Sequence, residues 1–301
     1  MNIFNETRRL WYQSILKVLC LTSISIHVFA TDTTSYDRGV AHIAKQEWKK
    51  AVGDFSEAIR LNPTNALAYE YRGGAYFANG SWDKAISDFT RVIQLVSTND
   101  RAYFNRGSTY RSAGQFDKAM ADINESLRLN RTNDAAYKIR ASIYSFKGEF
   151  AKAIENWSEG LRLKPNDANA LTCRGSDYFQ SGHFDKAVRD HREAIRIDPK
   201  CDLAYNNLGW VRATCPSEDF RDGKEAVEAA TKACELTNWQ RWDWIDTLAA
   251  AHAEAGDFPK AIKFEKLAMS FKTINAADRK QTERKLSLYE SGQPNHEGQK
   301  E

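Results

Sequence analysis

Apolar and small residues fall on two alternating helical faces along most of this chain. Tyr69, Gly73 and Tyr76 stand at i, i+4 and i+7, one face of a helix; after Asn79-Gly80 a second face runs through Ala85, Phe89, Val92 and Ile93. The pattern then returns. Gly39, Gly73, Gly107, Ala141 and Gly175 are 34 residues apart. Ala51, Ala85, Ala119, Ala153 and Ala187 keep the same step, as do Phe55, Phe89, Ile123, Trp157 and His191. A fixed period with two helical faces in it predicts stacked helix hairpins rather than a single compact core.

The punctuation agrees. Gly73 and Ala85 let two antiparallel helices approach closely, and aromatic residues fill the space beside them. Gly80, Gly114, Gly148, Gly182 and Gly256 stand where first helices end, the place for a residue in the left-handed conformation. Pro63, Pro165 and Pro199 follow second helices and stop them. The units run near 32–65, 66–99, 100–133, 134–167, 168–201, 202–241 and 242–275. Residues 276–290, with Leu286 and Tyr289 among many charges, read as a capping helix, and 291–301 as a disordered tail.

Tyr69, Gly73, Tyr76, Ala85 and Phe89 resemble the tetratricopeptide repeat family, with Ser97 departing from the family's proline; the fifth unit repeats the match at Gly175, Tyr178, Ala187 and Pro199. The resemblance covers about 32–275 and implies an all-α, right-handed superhelical solenoid of about seven hairpins plus the capping helix. It also implies a concave groove, lined by first helices, that binds peptides or protein surfaces. On that geometry the lining includes Tyr36, Val40, Phe77, Arg101, Phe104, Arg111, Lys138, Ser142, Asn169, Phe179, Asn206 and Trp210. Some members clamp a peptide's terminal carboxylates with Lys and Asn. Here Tyr36 and Val40 occupy the first-unit positions, and Lys138 with Ser142, Cys173 and Asn207 the later ones, so that clamp is not reproduced. An extended segment or a partner helix suits the mixed groove.

Three departures stand out. Arg38, Arg72, Arg106, Arg140 and Arg174 recur where the family commonly has leucine, and Asp54, Asp88, Asp122, Asn156 and Asp190 recur with them. They read as bidentate pairs between packed helices rather than as an anion-binding ladder. In the sixth unit Ala226 follows Gly209 by 17 residues instead of 12, which places an insertion in Cys215–Gly223. That stretch, with the 232–237 and 248–251 segments, looks like a bacterial subtype of the family. Trp239, Trp242 and Trp244 crowd the next junction and are expected to seal it.

Composition narrows the class. The net charge of +3 owes much to residues 1–30, where Arg8, Arg9 and Lys17 face Glu6, so the body is near neutral and gives no electrostatic case for nucleic acid. Arg8-Arg9, the apolar Val18–Phe29 and the Val28-Phe29-Ala30 end predict a signal peptide cleaved after Ala30 and a periplasmic or secreted protein; the alternative is an inner-membrane anchor at 10–30. Cys173, Cys201, Cys215 and Cys234 are expected as buried thiols, with Cys201–Cys234 the pairing to consider if a disulfide forms. His183 and His191 lack the context of a metal site, and no nucleophile elbow, phosphate loop or paired-carboxylate arrangement appears. The expectation is a non-enzymatic scaffold without cofactor or metal that takes a protein or peptide partner. The alternatives are a ligand-binding, redox or metal module using the cysteines or arginines, and a self-associating scaffold.

Overall fold

The computed structural model describes residues 33–298; the expected signal segment 1–30 lies outside them. The helices are α1 (Thr33–Ala44), α2 (Trp48–Leu61), α3 (Ala66–Ala78), α4 (Trp82–Leu95), α5 (Asp100–Ser112), α6 (Phe116–Leu129), α7 (Asp134–Phe146), α8 (Phe150–Leu163), α9 (Ala168–Gln180), α10 (Phe184–Ile197), α11 (Asp202–Thr214), α12 (Gly223–Leu236), α13 (Trp242–Glu254), α14 (Phe258–Met269) and α15 (Ala276–Glu290). A short 3-10 turn, Glu218–Phe220, sits between α11 and α12. The chain divides into two compact units, one through Ile143 and one from Tyr144. Hairpins α1/α2, α3/α4 and α5/α6 stack in the first. In the second, α9/α10, α11/α12 and α13/α14 stack and α15 packs on α14. The all-α hairpin architecture expected from the period is the one observed.

Local chemistry sets each hairpin. Asn65, Asn99, Asn133 and Asp167 precede first helices at the same 34-residue step, and each side chain accepts the N–H three residues on at 3.0–3.1 Å. Such a cap satisfies one orphan donor of the first turn and is worth about 1 kcal/mol. The first helix then ends at a left-handed glycine; Gly80 has φ 77° and Gly182 φ 78°.

Close packing dictates the glycine on the first helix. A Cβ on Gly73 would lie 2.9 Å from the Phe89 ring, and one on Gly175 would lie 2.6 Å from His191. The bulky residue of each second helix fills the space its glycine leaves. Phe55, Phe89 and Ile123 are fully buried there. His191 takes the same seat with both ring nitrogens lacking hydrogen-bond partners. Burial alone pushes its pKa down to about 3, so the ring is a neutral space-filler.

The arginine ladder is paired. Arg72 donates to both carboxylate oxygens of Asp88 at 2.8 Å and reaches the preceding hairpin at Ser56, 3.0 Å away. Arg106 does the same with Asp122 and Thr90, and Arg174 with Asp190 and Ser158. Each guanidinium also lies near tyrosine rings of its own helix; Arg72 is 5.5 Å from the Tyr69 centroid and 5.9 Å from Tyr76. Arg140 donates back to Asn124, while Asn156, where the other units have aspartate, donates to the Lys152 carbonyl.

Two tests follow from this packing. Asp122→Ala strands a guanidinium that is 18% exposed and is expected to cost about 3 kcal/mol. Asp54→Ala acts on Arg38, which is 57% exposed, and is expected to cost under about 1 kcal/mol. Equal losses in urea unfolding would contradict the burial argument. His191 binds its proton more weakly folded than unfolded, so its contribution is full above pH 6.5 and is lost as pH falls towards 3. Replacing it with leucine should therefore reduce the stability lost between pH 7 and pH 4 by about 3 kcal/mol; superimposable pH profiles for the two proteins would refute this.

Candidate partner-binding face

First helices are joined to one another by a polar seam with a step of 31 or 32 residues, one period less about one helical turn. In the first unit Arg101 of α5 pairs with Glu70 of α3 at 2.9 Å, and Arg111 of α5 donates to Ser142 of α7 at 3.1 Å. In the second unit Asn207 of α11 donates to Ser176 of α9 at 2.9 Å. Ser145 donates to Asp177 at 2.6 Å, and Trp157 of α8 donates to the same carboxylate oxygen at 2.8 Å. Burial raises the Asp177 pKa to about 6 even against those two donors. Glu70 is likewise buried and raised, with Arg101 and then Asn99 pulling it back. The seam fixes neighbouring first helices side by side and holds the polar groups of their shared face.

The twelve residues expected to line this face divide by how deeply they sit. In the first unit Arg101 is half exposed beside Glu70. Lys138 is paired with Asp134 at 2.7 Å, and Ser142 accepts from Arg111. Phe104 is partly buried against Ile123, Leu127 and Ala136. Val40 packs partly into the first hairpin's core, and Tyr36 meets Phe55 and Tyr71 edge-on at 5.6 Å. Burial, and then Tyr71, push the Tyr36 hydroxyl well above the usual tyrosine range. Phe77 does not line the face. It is buried with Ala85 and Phe89 because it stands four residues after Gly73, on the side turned towards the second helix.

In the second unit Phe179 is withdrawn for the same reason, four residues after Gly175 and packed with Ala187 and Val188. Asn206 is buried beside Asn207, whereas Asn169 keeps partial exposure. Trp210 is engaged: its indole N–H donates to Glu297 at 3.2 Å, and the Lys285 ammonium lies 5.4 Å from its ring. Residues 291–298, read from sequence as an unstructured tail, thus run back onto α11.

The polar groups around Trp210 have no counterpart in the sequence reading. Lys285 of α15 holds the Asp246 carboxylate of α13. Glu265 of α14 is fully buried beside them, its pKa pushed up to about 10 by burial and then by the Asp246 charge. Burial also raises the Tyr289 hydroxyl. Along α15 Lys285 looks like ordinary surface charge; its pairing with Asp246 of α13 is what buries it.

The insertion in the sixth hairpin is pinned. Arg212 donates to the Phe220 carbonyl at 2.7 Å and meets Glu225 at 2.6 Å, while Arg221 pairs with Glu254 at 3.0 Å. A Cβ on Gly223 would stand 2.6 Å from the Ala255 backbone, so glycine is required there. The tryptophan cluster closes the neighbouring junction: Trp244 is buried and donates to Asp202 at 3.0 Å, and Trp239 stacks on Phe264.

Other chemistry finds little support. Cys201, Cys215 and Cys234 are buried thiols, and no disulfide joins them to one another or to Cys173. Burial raises the Cys234 pKa to about 12, which keeps it from acting as a thiolate. A shallow cavity of about 600 Å³ beside α10 is lined by Arg174, Arg189, Arg192 and Arg196, of which Arg174, Arg192 and Arg196 pair with Asp190, Glu225 and Glu193. Among the described residues no group of three or more His, Cys, Asp or Glu could hold a metal ion, and no helix is long and apolar enough to cross a membrane.

Comparison with known proteins agrees with the architecture. Residues 36–100 and 100–133 match tetratricopeptide repeat family models. No curated protein matches. Among solved structures, MamA is similar at 24% identity over 56% of this chain and 92% of its own, with a TM-score of 0.51. YrrB, a TPR protein with an unusual peptide-binding site, is similar at 20% identity over 67% and 97%, with a TM-score of 0.53. A tetratricopeptide repeat protein from Parabacteroides merdae ATCC 43184 is similar at 16% identity over 86% and 98%, with a TM-score of 0.59. These likenesses are of fold. Residues 36–133 thus match tetratricopeptide repeats, and the hairpins of both units share the fold of these solved structures.

Proposed function

We propose that this protein is a non-enzymatic scaffold that takes an extended protein or peptide segment on the first-helix face of its hairpins. The observation that carries the reading is the polar seam. It holds half-exposed charged groups, Arg101 foremost, in fixed positions on a face whose aromatic residues are partly covered. Such a face offers a bound backbone donors and acceptors that are already ordered, which lowers the entropy lost on binding. The peptide-binding site for which YrrB is described lies on the same kind of fold and supports the same use here. The pairing of Arg72, Arg106 and Arg174 with aspartates and the burial of Cys201, Cys215 and Cys234 favour this reading over the ligand, redox and metal alternatives. On the strength of the basic and apolar pattern in residues 1–30, the protein works after export in the bacterial envelope.

Cross-linked capture from the source cell tests this reading. Arg101→Gln with Lys138→Gln removes two charges from the face while leaving amides to hydrogen-bond Glu70 and Asp134. The double variant is expected to lose at least about tenfold of the captured partner with its unfolding temperature within about 3 °C of the parent. Undiminished capture would move the site off the first unit's face.

A further inference from the structure

The second unit already carries a non-helical segment against its first helices, and that segment belongs to this chain. After α15, Gly292 adopts φ 73°, and the N–H of Gln293 donates to the Leu288 carbonyl at 2.9 Å. This terminates the helix and turns the chain back. Residues 293–297 then lie against the C-terminal ends of α11 and α13. The Glu297 N–H donates to the Thr214 carbonyl at 2.8 Å, and the Glu297 carboxylate accepts the Trp210 indole N–H at 3.2 Å. The imidazole of His296 meets Glu254 at 2.7 Å, on the carboxylate that Arg221 also holds.

We propose that residues 293–297 are a built-in occupant of this face, and that the segment displacing them is an extended chain in which a side chain donating to a carboxylate is followed directly by an acidic one. The proposal rests on the scaffold reading above and names the kind of partner that the second unit accepts. Three features of the face define that partner. Thr214 is the last residue of α11, so its carbonyl has no acceptor role inside the helix and takes a backbone N–H from outside. Trp210 turns its single donor, the indole N–H, towards a carboxylate, with the Lys285 ammonium over its ring. Glu254 accepts from the side chain one residue earlier in the bound segment. His296 and Glu297 thus reach different helices, α13 and α11.

The tail is held by a balance that permits exchange. Its hydrogen bonds stand against the ordering of a short stretch of backbone, and the two are of similar size. Its advantage is the tether, which supplies the segment at an effective concentration of about millimolar. A partner in trans therefore binds with its affinity reduced by the fraction of chains whose face is covered.

The test uses the full chain with 15N-labelled indoles, the Trp210 resonance being assigned from Trp210→Phe. In the His296→Ala/Glu297→Ala variant that resonance is expected to move away from its parental position. A synthetic peptide of residues 291–301 should bring it back, binding the variant at least about tenfold more tightly than the parental chain. The same peptide carrying E297Q should bind at least about fivefold more weakly, since the charged acceptor is gone. A Trp210 resonance unmoved in the variant would show that the tail does not occupy the face. A resonance that moves but does not respond to the peptide would make the tail a fixed strap and overturn the proposal. Equal binding of the two peptides would overturn the stated partner chemistry. None of these failures alters capture through Arg101 and Lys138, whose loss is the separate test of the scaffold reading.

Discussion

A part-buried guanidinium on α3, α5 and α9 is the constraint around which these hairpins are stacked. Arginine cannot shed its proton, so at these positions it must be met by a carboxylate and by further acceptors. Asp88, Asp122 and Asp190 supply the first from the same hairpin, and Ser56, Thr90 and Ser158 supply the second from the hairpin before. The tyrosines beside each arginine then have a double role, since their rings pack between helices and present their faces to the cation. The apolar positions give a hairpin its fold, while the arginine ties one hairpin to the next.

The consequence for the first-helix face is rigidity in a place where a binding surface needs it. Ridge packing alone leaves neighbouring helices free to slide by fractions of a turn, because apolar contacts are not directional. The guanidinium clamp between hairpins and the polar seam between first helices remove that freedom. Both have steps tied to the period of 34, one at half a repeat and one a turn short of a full repeat. A face so fixed presents Arg101, Arg111 and Lys138 in one register.

How much of this was legible follows from the same periodicity. The hairpins, the left-handed glycines and the Arg–Asp pairing were readable because each repeats at 34 residues and pairs residues of complementary size or charge. The caps at Asn65, Asn99, Asn133 and Asp167 share that period, yet a polar residue in a turn is a weaker signal than an apolar face. The groove list erred at Phe77 and Phe179, where the i+4 relation to Gly73 and Gly175 already points inward. The seam was hidden because its members belong to different repeats and differ in type: an ion pair, a hydroxyl bond, an amide bond. The partners of Asp246 and Glu265 and the docked tail were hidden because Lys285 and residues 293–297 lie beyond the last full repeat, where no period remains to reveal them.

The hydroxyl that each arginine takes from the preceding hairpin also decides what counts as a movable part. A hairpin cut out at its own helix ends carries its arginine and its aspartate but leaves Ser56, Thr90 or Ser158 behind. The piece that keeps all three groups together begins half a repeat earlier, with the second helix of one hairpin, and runs through the whole of the next. Shuffling or grafting this array thus has a natural grain of three helices, and consecutive pieces must overlap by one helix rather than abut.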